Sequence, residues 1–347
     1  MTSKAGLSNN IRQYENILKS VLVFMVSLLM AGCGESQQSP VESEQTLRRV
    51  SIAVSSTPLS APFFIAEANG YFGQQGLDVN IMDTIGGHRC LVKVLDGEAE
   101  MGTSSDYPVM KQSFERNDFV IAATFVSSEN DVKLIGSKQF GVNKPADLRN
   151  KKVGTAMGSS SHYFLDRFLL FNNMSLSDVN VVHVNPEDQP AALKNGDVDA
   201  LSVWEPYAYI AKNNLQEDAV IFPAGEYYRE TFNLVMKKEF FSSNASTVKK
   251  MLKALDMAIE FIRQEPDKAQ QILVTRLKLD NAFIDWIWKD YEFALTLDQS
   301  LLVTLENEAR WALDNGVVNR SGGINFLDYV DVSILSEIDN AKISIIQ

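Results

Sequence analysis

The sequence predicts an α/β protein made of two similarly built halves and completed by a helical C-terminal region. Three observations carry that prediction. From Leu47 onward, short apolar runs alternate with stretches of helical periodicity. Two segments, LDGEAEMGTSSDYP at 95–108 and LKNGDVDALSVWEPY at 193–207, align if the second is allowed one extra residue. From 248 to 315 the apolar spacing is helical almost throughout, with breaks near Glu265-Pro266, Leu279-Asp280 and 295–299.

RRVSIAVS at 48–55 is read as the first strand, ended by Ser56-Thr57-Pro58. Pro62 suits an early helical position, and the helix it opens stops at Gly70. LDVNIM at 77–82 alternates as a second strand, and TIGGH at 84–88 turns into a helix closed by Gly97. Met101-Gly102-Thr103 is a short strand, and Ser105-Asp106-Tyr107 leads into another helix. FVIAATFV at 119–126 is almost wholly apolar, the mark of a central strand. The second half repeats the alternation. Strands are expected at 152–155, 179–184 and 200–203, and helices at 159–171, 190–195 and 205–212. Strands at 219–222 and 231–236 lead into the helical region. Its Trp286, Trp288 and Trp311 are read as packing residues.

If both halves are real, their strand ends face one cleft, where open sheets hold ligands.

Composition excludes several classes. The 347 residues carry 32 Lys+Arg against 44 Asp+Glu, a net charge of -12, which argues against non-specific nucleic-acid binding. Two cysteines, Cys33 and Cys90, support neither a disulfide scaffold nor a thiolate zinc site. The N-terminus predicts processing. A basic segment with Lys4, Arg12 and Lys19 precedes the apolar run VLVFMVSLLMA, which is too short to span a bilayer and ends at Gly32-Cys33. It resembles a lipoprotein signal at 1–32, with Cys33 lipidated and a polar linker over 33–47. The mature chain would then hold 315 residues at a net charge of -14.

Serine-rich turns and helix starts gather backbone N–H groups suited to an anion. The candidates are Gly86, Gly87 and His88 in the first half, and Ser159, Ser160, Ser161 and His162 in the second. Each of these serines could equally cap its own helix. Ser56, Thr57, Ser104 and Ser105 add hydroxyls, and Trp204 offers an apolar wall. The Glu205 carboxylate could accept from a ligand amine, or it could cap the helix that follows. No catalytic motif emerges. His88, His162 and His183 form no metal-ligand pair, and phosphate-loop, dinucleotide and G-x-S-x-G patterns are missing from the sequence. Binding without turnover, with no metal and no cofactor, is the expectation.

Several blocks in order resemble the periplasmic substrate-binding proteins of ABC importers, in the branch serving aliphatic sulfonates, taurine, nitrate and thiamine-precursor pyrimidines. They are APFFIAEANGYFGQQGLDV (61–79), the double-glycine segment of 86–102, KKVGTAMGSSSHYFL (151–165) and AALKNGDVDALSVWEPY (191–207). The region around 288–302 resembles the family's C-terminal helices.

The resemblance implies a two-lobed type II periplasmic-binding fold. Lobe I would span 49–138 and 234–347, and lobe II 139–233. It adds ligand contacts near Ser56, at Pro58–Ala61 (Leu59 among them), and at Asp106, Thr231 and Asn233 to those above. It further implies a monomer that holds a small anion, is lipid-anchored outside the cytoplasmic membrane, and hands its ligand to a permease. Import of a pyrimidine, or sensing without transport, is the alternative. Arg229 is the candidate cation for an anionic ligand.

Overall fold

The computed structural model describes residues 47–222, 225, 227–319 and 323–346. The signal segment, the Cys33 lipidation site and all of the linker but Leu47 lie outside the described residues.

The first stretch runs β1 (Arg48–Ser55), α1 (Ala61–Ala68), α2 (Tyr71–Gln74), β2 (Leu77–Thr84), α3 (Gly87–Asp96), β3 (Met101–Ser105), α4 (Asp106–Ser113) and β4 (Phe119–Ser128). The second runs β5 (Val132–Ser137), β6 (Lys152–Thr155), α5 (Ser160–Phe171), β7 (Asn180–His183), α6 (Gln189–Asn195), β8 (Ala200–Trp204), α7 (Tyr207–Leu215), β9 (Ala219–Ile221) and β10 (Glu230–Lys237). The remainder is α8 (Lys238–Ser243), α9 (Ala245–Gln264), α10 (Pro266–Leu277), α11 (Asn281–Ile287), β11 (Tyr291–Thr296), α12 (Gln299–Asp314) and α13 (Ser333–Ile338).

Two sheets result. One has the order β11-β4-β10-β3-β1-β2, and the other β7-β6-β8-β5-β9. In each, three parallel strands are joined by one antiparallel strand beside the third: β10 next to β3, and β5 next to β8. The aligned segments 95–108 and 193–207 therefore occupy equivalent places. Each contains a helix end, the third parallel strand and the start of the next helix. Gly97 and Gly196 close α3 and α6 in the same left-handed conformation, with φ of 81° at both, which a side chain would strain. The candidate helix starts in the two halves are not equivalent. Gly87-His88 opens α3 after the second strand of its sheet, whereas Ser160-Ser161-His162 opens α5 after the first strand of the other.

The chain crosses between sheets earlier than expected. β5 belongs to the five-stranded sheet and all of β10 to the six-stranded one, so the crossings fall at 129–131 and 222–229 rather than after 138 and 233. β5 escaped the sequence reading because VKLIGS is buried throughout and follows β4 after only three residues. β4 does lie inside its sheet, between β10 and β11, and all ten of its residues are buried.

The helical reading of 248–315 also needs correction. β11 interrupts it as an edge strand paired antiparallel with β4, and the alternation of Tyr291, Phe293 and Leu295 is its signature. Around it the helices are amphipathic. α9 buries Val248, Met251, Leu252, Leu255, Ala258 and Ile262, a stripe at helical spacing that packs on α1 and α2. α12 packs on α4 and carries Trp311, whose ring meets His162 at 5.0 Å and Tyr163 at 5.5 Å, both on α5. This contact bridges the two sheets' helices.

Candidate functional site

A cavity of ≈ 310 Å³ opens where the strand ends of both sheets meet. The six-stranded side supplies Ser55 at the end of β1, Thr57 and Leu59 just beyond it, and Gly86, Gly87 and His88 at the start of α3. It also supplies Ser105 at the end of β3, Tyr107, Pro108 and Lys111 of α4, and Glu230 and Phe232 of β10. The five-stranded side supplies Gly158, Ser159 and Ser160 before and at the start of α5, and Trp204 and Glu205 after β8. Asp131, in the short crossing between β4 and β5, completes the lining.

Gly87 makes the close approach of α3 possible. A Cβ there would stand 2.9 Å from the Ser105 amide nitrogen and 3.1 Å from the Ser104 Cα, both backbone atoms that cannot yield. Neither α3 nor α5 has a side-chain cap at its start. The Ser159 hydroxyl donates instead to the Ala156 carbonyl at 2.6 Å, so it does not play the capping role weighed above. Four cavity-lining residues each carry a buried polar atom with no hydrogen-bond partner among the described residues: Ser55 Oγ, Thr57 Oγ1, Tyr107 OH and Glu230 Oε2.

Of the sequence candidates, Thr57, Leu59, Gly86, Gly87, His88, Ser105, Ser159, Ser160, Trp204 and Glu205 come together at this cavity. The others lie elsewhere. Ser56 is exposed and donates its N–H to the Thr84 carbonyl, and Pro58 and Ala61 are buried in the turn into α1. Ser104, Thr231 and Asn233 fail by parity. On β3 and β10, Ser105, Glu230 and Phe232 face the cavity, and the residues between them point to the opposite face of the sheet. There Asn233 accepts from Thr124 Oγ1 at 2.7 Å. Asp106 is fully buried and knots α4 to the returning chain. It accepts from Tyr228 OH at 2.5 Å and from the Thr231 N–H at 2.9 Å. Ser161 is held by the Thr155 hydroxyl at 2.9 Å, and its carbonyl accepts from Ser202 Oγ at 2.6 Å. His162 turns onto Trp311.

Sequence reading missed Ser55, Tyr107, Pro108, Lys111, Asp131, Gly158, Glu230 and Phe232. Alternation along 230–233 was the available signal for Glu230 and Phe232. Asp131 carries no such signal, because it lies between strands.

The electrostatics are two-sided. Lys111 and His88 lie on the outer side, both exposed residues. Partial burial, then Lys111 and Arg89, hold the His88 imidazole below its ordinary value. At the crossing side stand Asp131, Glu205 and Glu230. Glu205 is already engaged: it pairs with Lys133 at 3.2 Å, accepts from Trp286 Nε1 at 2.6 Å, and accepts from the Tyr209 N–H at 2.9 Å. That last bond makes it a cap of α7, so the capping reading of Glu205 holds in the structure. Burial pushes Asp131 up to about 7 although Tyr291 OH donates to it at 2.6 Å. Burial, with Asp131 and Asp106 nearby, raises Glu230 well above the ordinary carboxyl range. Arg229 does not serve the cavity. It binds Ser127 Oγ and pairs with Glu292 at 2.6 Å. Lys111 is the lysine that lines it.

Residues 57–269, more than half of the sequence, match the family described as NMT1/THI5 like. The chain belongs to that family. Among relatives of this NMT1/THI5-like protein, a Bacillus subtilis (strain 168) protein named "Putative aliphatic sulfonates-binding protein" is 25% identical over 284 residues, 79% of this chain and 83% of its own. The crystal structure of the periplasmic aliphatic sulphonate binding protein SsuA from Escherichia coli superposes with a TM-score of 0.72 at 17% identity, covering 82% of this chain and 92% of that one. The fold is thus that of the two-lobed periplasmic binding proteins. The desulfurization enzyme DSZB shares it, with a TM-score of 0.61 at 14% identity over 84% of this chain and 99% of that one. The choice between binding and turnover has to come from the site.

Proposed function

We propose that the protein is the extracytoplasmic solute-binding component of an ABC importer. It captures a small organic solute with an anionic group between its lobes and presents it to a membrane permease. The observation that carries this reading is the convergence at one cavity of two uncapped helix starts, one from each lobe, with hydroxyls that lack partners. Such a site binds an anion through N–H and O–H donors. The cavity volume suits a small molecule.

Binding without turnover is the chemistry this lining supports. Among the described residues no histidine is bonded to a lining hydroxyl. The Met157 N–H donates to His183 Nδ1, and His162 accepts from the Gly158 N–H while packing on Trp311. The buried Cys90 thiol is pushed up to about 11, far from a reactive thiolate. Lipid attachment at Cys33 and a monomeric state complete the reading, with the leader's composition in support of the first.

A second reading, capture of a flat pyrimidine, draws on the rings of Tyr107, Trp204 and Phe232 around the cavity. Thermal denaturation of the full chain with taurine, alkanesulfonates, nitrate, bicarbonate and pyrimidines separates the two. A sulfonate raising Tm is the expected result. Stabilisation by pyrimidines alone favours the second reading, and no shift with any of them overturns both.

A further inference from the structure

We propose that Glu230, with Asp131 beside it, forms an acceptor floor for a cationic nitrogen on the solute, so that the ligand is dipolar rather than a simple anion. The inference deepens the solute-binding reading and rests on it.

Glu230 opens β10, immediately after the chain returns from the second lobe, and it is 6% exposed. The residue lines the cavity, and its Oε2 is buried with no partner among the described residues. A buried carboxyl oxygen without a partner is costly to maintain, and a ligand donor removes that cost. Asp131 lies on the same side of the cavity, with one oxygen accepting from Tyr291 OH. The nearby lysine cannot serve as the countercharge. Lys133 is committed to Glu205 at 3.2 Å and Asp290 at 3.4 Å. Lys111 and His88, by contrast, lie on the outer side, where an anionic group would meet them and the α3 start together.

A solute with an anionic end outward and an ammonium inward matches both ends. A solute such as nitrate, or an unsubstituted alkanesulfonate, leaves Glu230 and Asp131 unmatched.

The groups around Glu230 give the reading a second signature. Asp131 in the crossing, Asp106 at the start of α4, Glu308 of α12, and the phenols of Tyr228 and Tyr291 all interact with it, and the Ser105 hydroxyl is beside it. All of the charges these groups can carry are negative, so together with burial they favour the protonated carboxyl. An arriving ammonium supplies the missing positive charge, and the proton leaves to solvent as the carboxylate forms. Affinity for such a ligand therefore rises with pH, and binding releases protons.

Isothermal titration of the full chain with taurine, 1-propanesulfonate and n-propylamine tests the inference, because taurine and 1-propanesulfonate differ chiefly in an ammonium against a methyl. Taurine is expected to bind about tenfold or more tighter than 1-propanesulfonate. It should also release protons, as seen from heats measured in two buffers of different ionisation enthalpy. Glu230→Gln keeps the size of the side chain. It should abolish the proton release and bring the two affinities within about threefold of each other. An unaltered thermal midpoint would show that the variant is folded. Should that variant fail to fold, proton release by the unaltered protein still decides. Equal binding of taurine and 1-propanesulfonate, or binding of taurine without proton release, overturns the acceptor floor and leaves the importer reading in place. Binding by none of the three, together with no shift from nitrate, bicarbonate or pyrimidines, overturns the solute site itself.

Discussion

Trp286 donates its indole N–H to Glu205 Oε1 at 2.6 Å, tying α11 of the C-terminal region to the end of β8 in the other sheet. Glu205 is also ion-paired with Lys133, and the two side chains are each 2% exposed. Lys133 stands 5.5 Å from the Trp286 ring centroid and Lys212 5.0 Å, so two cations flank the indole. A residue far along the chain thus holds a cavity-lining carboxylate in place.

Among the described residues, removing Glu205 leaves the buried Lys133 with Asp290, the Asn130 carbonyl and the Trp286 ring. Glu205→Ala is expected to cost about 3–5 kcal/mol of stability, the usual penalty for breaking a buried pair. Trp286→Phe removes one hydrogen bond to a charged acceptor and should cost about 1.5–3 kcal/mol. Urea unfolding of both variants checks the order, and a Glu205→Ala loss below that of Trp286→Phe would contradict it.

Stability should fall as pH rises through the mildly acidic range. Asp131 is pushed up to about 7 and Asp106 to about 6 in the folded protein. In the unfolded chain both sit near the ordinary value of about 3.9. Between those values the native state holds more protons, so these groups' contribution is complete below about 4 and is lost on the way to neutrality. Tm measured at pH 5 should exceed Tm at pH 8, and Asp131→Asn should shrink the difference. A difference unchanged by that substitution would remove Asp131 from the account.

Gly87→Val places side-chain carbon against the backbone of Ser104 and Ser105. Overpacking of this kind costs about 1–3 kcal/mol, and the displaced α3 start should weaken ligand binding as well. Calorimetric Tm and ligand titration on one preparation check both effects. Wild-type affinity in a destabilised variant would separate Gly87 from the site.

Cys90 is buried beside Ala53, Val94 and Ala99, and its thiol is pushed up to about 11. In a Cys33→Ser chain, a thiol reagent at pH 8 is expected to label Cys90 only after unfolding in denaturant. Rapid labelling of the native protein would show that the pocket around it opens.

The sequence by itself determined the alternation of strands and helices, the duplicated segments at 95–108 and 193–207, and the apolar β4 in the middle of its sheet. Each depends on local periodicity or on self-similarity, which a chain displays without being folded. It also marked the helix starts at Gly87 and Ser159-Ser160, because glycines and serines after strands are local signals. Tertiary structure decided the rest. β5 was illegible because a short strand buried throughout has no period to distinguish it, the brief alternation of β11 lay inside a helical stretch, and the crossings at 129–131 and 222–229 depend on which sheet each strand joins. Strand parity at the cleft was equally hidden. Ser105 faces the cavity and Ser104 does not, and Glu230 and Phe232 do while Thr231 and Asn233 do not. A strand's sequence contains both faces, and only its neighbours choose between them. The acidic side of the cavity required still more. Asp131, Glu205 and Glu230 are as much as 99 positions apart, and they meet only because strand ends of both sheets line one cavity.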